Sequence, residues 1–329
     1  MNPPPATVTT QDRYRGCLLG LAAGDALGTT LEFKRPGSFA PLTDMVGGGP
    51  FGLKAGQWTD DTSMALCLAE SLLERGGFDP RDQMDRYVRW WQDGHLSATG
   101  KCFDIGNTVA WALRRFRAEQ EKPGREVNPF QGSTDPHTAG NGSIMRLAPV
   151  PLFFAGAGAQ EAIARAGESS RTTHGATEAV DGCRYLASLI LGALAGASKE
   201  DLLRPVHTPN EAGGLWQEAP LCAGVATVAA GSFRTKSQSA IRGSGYVVDS
   251  LEAALWAFAH SASFAEGALL AVNLGDDADT TGAVYGQLAG AFYGVRDIPA
   301  KWLGKLYNGG YITGQADRLF AHNHPNDET

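Results

Sequence analysis

The chain has 329 residues, 43% of them hydrophobic, and a net charge of −7. That length can bury a core without disulfide or metal staples, and the missing basic footprint argues against a nucleic-acid or acidic-membrane partner. The five cysteines (Cys17, Cys67, Cys102, Cys183, Cys222) are scattered and never spaced C-x-x-C, so they read as buried thiols of a reducing cytoplasm. No stretch reaches the ~18 apolar residues of a membrane span, and the short signal-like run after Arg13 is interrupted by Asp25. A cytoplasmic monomer is expected.

Residues 1–11 read as a flexible leader, 12–321 as one compact all-α domain, and 322–329 as a flexible tail. The domain alternates helical patterns with Gly-rich loops and lacks a convincing run of alternating strands. Its first helix carries Gly16, Gly20, Gly24 and Gly28, and a late one carries Gly282, Gly286, Gly290 and Gly294. A glycine inside a helix costs about 1 kcal/mol relative to alanine. Two rows at i, i+4 therefore imply tight helix crossings, in which each helix meets a close neighbour or the two meet each other. Between them, Met64, Cys67, Leu68, Ser71 and Leu72 mark one face of a helix following Asp60-Asp61. Further helices are predicted over residues 83–92, 178–194 and 251–260. Residues 33–57, 123–140, 205–219 and 231–245 are loops, the usual place for binding sites on a helical scaffold.

Two acidic clusters stand out: Thr59-Asp60-Asp61-Thr62, and Asp276-Asp277-Ala278-Asp279-Thr280. Each opens a helical pattern, so capping accounts for one or two acids. It does not account for three acids in four residues, which repel by about 4 kcal/mol per adjacent pair at an effective dielectric of 20. They face water or surround a cation. The ligand set is all oxygen, which suits Mg²⁺, Mn²⁺ or Ca²⁺ rather than structural zinc. A calcium EF-hand from Asp277 fails, because its twelfth position is Leu288 where a glutamate is required. A shared two-metal site, able to polarise a bound oxygen and activate water, fits the two clusters better.

The chain resembles the ADP-ribosylglycohydrolases, most closely the bacterial dinitrogenase reductase-activating glycohydrolases. The resemblance rests on Gly16-Cys-Leu-Leu-Gly-Leu-Ala-Ala-Gly-Asp25-Ala-Leu-Gly, Trp58-Thr-Asp-Asp-Thr-Ser-Met64, Asp104-Ile-Gly-Asn107, Gly140-Asn-Gly-Ser-Ile-Met-Arg146, Thr173-His174, Gly245-Tyr-Val-Val-Asp249 and Asp277-Ala-Asp-Thr-Thr281. These segments occur in family order over nearly the whole chain. The resemblance implies an all-α hydrolase holding two divalent cations, Mg²⁺ or Mn²⁺, on Thr59, Asp60, Asp61, Asp277, Asp279 and Thr280. It implies cleavage of the glycosidic bond at C1″ between ADP-ribose and a protein side chain, arginine first, with free ADP-ribose as product. Asp104 matches the family's proposed acid or base, and Glu32 a second such candidate or gate, while Asp25 is structural. Gly106, Asn107, Asn141, Gly142, Ser143, His174 and Tyr246 are the expected substrate contacts. The Gly-containing turn at 141–143 could supply N–H groups to a diphosphate, and Tyr246 an aromatic face. Asp276, where the family often has glycine, departs from the pattern and is assigned to the surroundings of the ligands. The alternatives are a non-hydrolytic ADP-ribose-binding protein, a hydrolase of serine-linked or small-molecule adducts, and another Asp-rich all-α enzyme such as a terpenoid synthase. The last lacks the downstream acid of a D-D-x-x-D motif.

Overall fold

A computed structural model describes residues 8–122, 124, 126–209 and 212–325. Among them are 15 α-helices and no strand, only three isolated bridges. In chain order they are α1 (Thr10–Gly28), α2 (Asp60–Arg75), α3 (Pro80–Asp93), α4 (Asn107–Gln120), α5 (Pro149–Phe154), α6 (Ala159–Arg171), α7 (Thr177–Leu194), α8 (Lys199–Leu202), α9 (Leu215–Glu218), α10 (Ala223–Ala229), α11 (Val247–Ala259), α12 (Phe264–Val272), α13 (Ala278–Tyr293), α14 (Ala300–Leu303) and α15 (Gly309–Asn323). The all-α expectation holds.

The two glycine rows meet each other. A Cβ on Gly16 would lie 2.2 Å from the Gly290 carbonyl oxygen, on Gly20 2.3 Å from that of Gly286, and on Gly24 2.0 Å from that of Gly282. The reverse contacts are as close, at 2.4, 2.0 and 1.9 Å from Gly282, Gly286 and Gly290. Residue numbers rise along α1 as they fall along α13, so the pair is antiparallel, and the C-terminus of α1 lies at the N-terminus of α13. Helices α2, α7, α11, α12 and α15 pack around this central pair. Its core includes Tyr14, Leu27, Phe258, Phe264, Tyr285 and Trp302. A smaller core of Met64, Tyr87, Trp90, Leu113 and Phe116 joins α2, α3 and α4.

Element bounds shift at polar ends. Helix α3 starts at Pro80, with Asp79 accepting from the N–H groups of Arg81 and Asp82, three residues before its apolar pattern begins. Helix α11 starts at Val247 rather than 251. Helix α1 starts at Thr10, where Thr9 and Asp12 form a reciprocal capping box, so residues 10 and 11 belong to the helix and not to the expected leader. Helix α15 likewise continues through Asn323 into the expected tail. The rest of that leader, residues 1–7, and residues 326–329 lie outside the described residues.

Candidate active site

Asp25, near the end of α1, fixes the start of α2. Its Oδ1 accepts from the Thr59 N–H at 2.9 Å and the Thr59 hydroxyl at 3.0 Å. Its Oδ2 accepts from the Thr62 N–H at 3.0 Å and the Thr62 hydroxyl at 2.6 Å. A carboxylate from another helix thus caps α2, satisfying N–H groups that would otherwise be orphaned. Burial pushes the Asp25 carboxyl up to about 6 against those four donors.

With Asp25 so engaged, the first turn of α2 sets Asp61 near Asp277 and Asp279 at the start of α13, and Asp60 near Asp104 and Glu32. The Thr59 hydroxyl lies 3.3 Å from Asp61 Oδ2 and 3.1 Å from Asp279 Oδ2, which joins the two clusters directly. Thr280 is buried beside them. Glu32 and Asp104 close the ring: one carboxylate oxygen from each of Glu32, Asp104 and Asp279 lies within 4.8 Å of the others. That trio mixes one expected ligand with both expected acid/base residues.

Among the described residues no basic side chain pairs with any of these acids. Burial raises the carboxyls of Asp60, Asp61 and Asp279 well above the ordinary range, and neighbouring carboxylates add to the effect. Burial and Asp104 push Glu32 up to about 10, and burial with its acidic neighbours pushes Asp104 up to about 7. Asp61 Oδ1 and Asp279 Oδ1 are buried without a hydrogen-bond partner. Buried, unpartnered carboxylate oxygens in one cluster of acids are a donor set that a hard divalent cation satisfies. The residues present fit such an ion.

The expected substrate residues fall into two groups beside this cluster. Residues 139–141 run antiparallel to 245–247, with Asn141 N–H donating to Gly245 C=O at 3.0 Å and Val247 N–H to Ala139 C=O at 3.1 Å. This pairing sets half-exposed Tyr246 next to Asn141, whose Nδ2 donates to Asp277 Oδ2 at 2.7 Å. His174 lies against Gly140 and Gly142; a Cβ on Gly142 would come within 2.8 Å of its ring. The Ser143 hydroxyl is buried against Ser170, 2.8 Å away, so what this residue has to offer a ligand is its backbone. Gly106 and Asn107 are exposed at the start of α4, two and three residues beyond Asp104.

Sequence reading assigned no role to Arg146, which is fully buried and makes no ion pair among the described residues. It donates to the Gly142 carbonyl at 2.7 Å and to the hydroxyls of Thr172 at 3.2 Å and Thr173 at 2.7 Å, and its guanidinium stacks on Tyr87. The same Thr173 hydroxyl lies 2.9 Å from His174 Nδ1. Burial and the nearby Arg146 charge push His174 down to about 3, so its ring is neutral near pH 7. The signal for this role was present as an arginine four residues after Gly142, one helical turn on.

Residues 6–329 match the family described as ADP-ribosylglycohydrolase. The ADP-ribosylarginine hydrolase Tri1 of Pseudomonas putida (strain GB-1) is 46% identical over 312 residues, covering 94% of this chain and 78% of that protein. The ADP-ribosyl-dinitrogen reductase glycohydrolase of Rhodospirillum rubrum is 34% identical over 309 residues, 91% of each chain. A solved structure described as an ADP-ribosylglycohydrolase-related protein complex matches with a TM-score of 0.81 at 44% identity, covering 95% of this chain and 99% of that one.

Proposed function

The chain belongs to the ADP-ribosylglycohydrolase family, and on that premise we propose that it is a metal-dependent hydrolase that frees ADP-ribose from modified arginine side chains by cleaving the glycosidic bond at C1″. The two relatives named for arginine and dinitrogen reductase supply the substrate class. The observation that carries the chemistry is the buried ring of acids, in which Asp61 Oδ1 and Asp279 Oδ1 have no partner.

Thr59, Asp60 and Asp61 from α2, with Asp277, Asp279 and Thr280 from α13, would hold two Mg²⁺ or Mn²⁺ ions. Bound there, the ions supply positive charge that orients the ribose hydroxyls next to C1″. Asn141, Gly142, His174 and Tyr246 receive the ADP portion, with a neutral His174 ring that offers a hydrogen bond without adding charge. When the C1″–N bond breaks, its electron pair leaves with the guanidine and C1″ becomes oxocarbenium-like. A water adding to C1″ must lose a proton, and Asp104, beside the Asp279 carboxylate at the edge of the cluster, is the carboxylate placed to take it. Glu32 lies on the same side of the cluster, its carboxyl group close to those of Asp104 and Asp279.

An arginine-ADP-ribosylated protein incubated with Mg²⁺ or Mn²⁺ should release free ADP-ribose, and the reaction should stop with excess EDTA or in Asp279→Ala. Full turnover in EDTA would remove the metal from this reading. Turnover of a serine-linked adduct alone would remove the arginine. The protein substrate and the reduced thiols are consistent with work in the cytoplasm, and no helix among the described residues is long and apolar enough to cross a membrane.

A further inference from the structure

Three phenylalanines stand together beside the chain segments that carry Glu32 and Asp104. Phe33 follows Glu32, Phe103 precedes Asp104, and Phe51 stands between them on the Gly-rich loop. Phe33 meets Phe51 edge-on with ring centres 6.4 Å apart, and Phe51 lies 5.1 Å from Phe103 in a tilted contact. Phe33 is 66% exposed, more than any other large hydrophobic residue described. Its position is fixed even so. Phe33 has φ 60, a conformation that bulky residues avoid. Its N–H donates to the Asp276 carbonyl at 2.7 Å, while the Asp276 N–H donates to the Lys34 carbonyl at 2.7 Å. A solvent-facing ring held in that backbone conformation gains nothing from the core.

Elsewhere the described residues place cations over Trp111, Tyr87, Phe78, Trp216, Phe258 and Tyr293, but none over Phe33, Phe51 or Phe103. The Asn141 and Tyr246 loops reach the cluster at Asp277, whereas the phenylalanines reach it at Glu32 and Asp104. A row of rings, exposed at Phe33 and half-buried at Phe51 and Phe103, beside two carboxyl groups complements a flat cation on an aliphatic stem.

We propose that the Phe33–Phe51–Phe103 rim is the docking surface for the arginine side of the substrate, whose guanidinium lies across the rings as C1″ enters the acid cluster. This rests on the arginine reading above and extends it by assigning the leaving-group side of the site. A serine-linked adduct has no cation to lay there, so the rim also sets specificity.

The test measures steady-state hydrolysis of ADP-ribosylarginine by the Mg²⁺-loaded full chain, with calorimetric binding of free ADP-ribose alongside. Phe33→Leu combined with Phe103→Leu should raise KM for ADP-ribosylarginine roughly 3- to 30-fold, the range of one to two lost cation–aromatic contacts, with ADP-ribose affinity unchanged. Phe33→Tyr, which keeps the aromatic face, should retain the wild-type KM. An unchanged KM in the double variant, or an equal loss of ADP-ribose affinity, would overturn the assignment. Failure of the parent reading looks different: wild-type protein would release no ADP-ribose from ADP-ribosylarginine, and the rim assignment would fall with it.

Discussion

Asp276 lies next to a ligand candidate yet faces solvent, and its backbone explains why the position is special. With φ 59 it sits in the left-handed region and exchanges backbone hydrogen bonds with the Phe33–Lys34 segment. Glycine adopts that conformation freely and aspartate tolerates it, whereas a β-branched residue does not. Asp276→Gly should therefore leave Mg²⁺ affinity unchanged and shift stability by less than about 1 kcal/mol, while Asp276→Val should lose about 1–2 kcal/mol in urea unfolding. A clear loss of metal affinity in Asp276→Gly would instead give its charge a role around the ions. Asp61 is the opposite case, fully buried among other acids with one oxygen unpartnered. Burial and carboxylate neighbours disfavour its charged form, so Asp61→Asn should make the EDTA-treated protein more stable at pH 8. The gain should be about 1–2 kcal/mol, and hydrolysis should be lost. Thermal unfolding in EDTA beside an activity assay reads both effects; a lower melting temperature would mean that the acids are not under mutual repulsion.

The antiparallel contact of α1 and α13 is what brings the two halves of the site together. Where Gly20 faces Gly286, a Cβ would stand 2.3 Å from a backbone carbonyl oxygen, which has no side-chain rotamer to yield. In an isolated helix, Gly→Ala gains about 1 kcal/mol. Here Gly20→Ala should instead cost at least about 3 kcal/mol, because two backbones must separate. Urea denaturation gives the sign, and a stabilised Gly20→Ala would break the packing account. The glycine rows were legible in sequence because period four is visible in one helix at a time. Their antiparallel direction was not, since a stripe shows that a neighbour approaches closely but not which way it runs. The start of α3 was missed because its first turn, Pro80–Arg81–Asp82, is set by the Asp79 cap and polar residues rather than by an apolar period; that of α11 carries no side-chain cap, and Asp249 and Ser250 separate Val247–Val248 from the apolar run that follows.

Across the whole molecule, the site draws on α1, α2, α13 and five loops, and only its most concentrated parts could be read along the chain. Asp60-Asp61 and Asp277-Ala278-Asp279 announce themselves as charge that needs an answer. Arg146 and the phenylalanine rim do not, because their meaning lies in contacts between distant segments: Arg146 with Thr172 and Thr173, and Phe33 with Asp276. Gathering so many acids also couples stability to protons and metal throughout the fold. The carboxyls of Asp104, at about 7, and Glu32, at about 10, sit above their unfolded values, so the stability they add in the metal-free protein is full at low pH. It is lost as pH rises through those folded values. His174, pushed down to about 3, acts in the opposite sense but only below its ordinary value of 6.5, which leaves pH 7 to 9 as the clean window. In EDTA the folding free energy should fall across it by up to about 1.4 kcal/mol per pH unit for each proton the folded state retains. Mg²⁺ replaces those protons as counter-charge, so its stabilising effect should be larger at pH 9 than at pH 7 and the loaded protein's profile flatter. Paired thermal melts with EDTA and with Mg²⁺ at the two pH values decide it. A metal-free protein that grows more stable from pH 7 to 9, or an equal Mg²⁺ shift at both, would show that the acid ring is not where protons and metal compete.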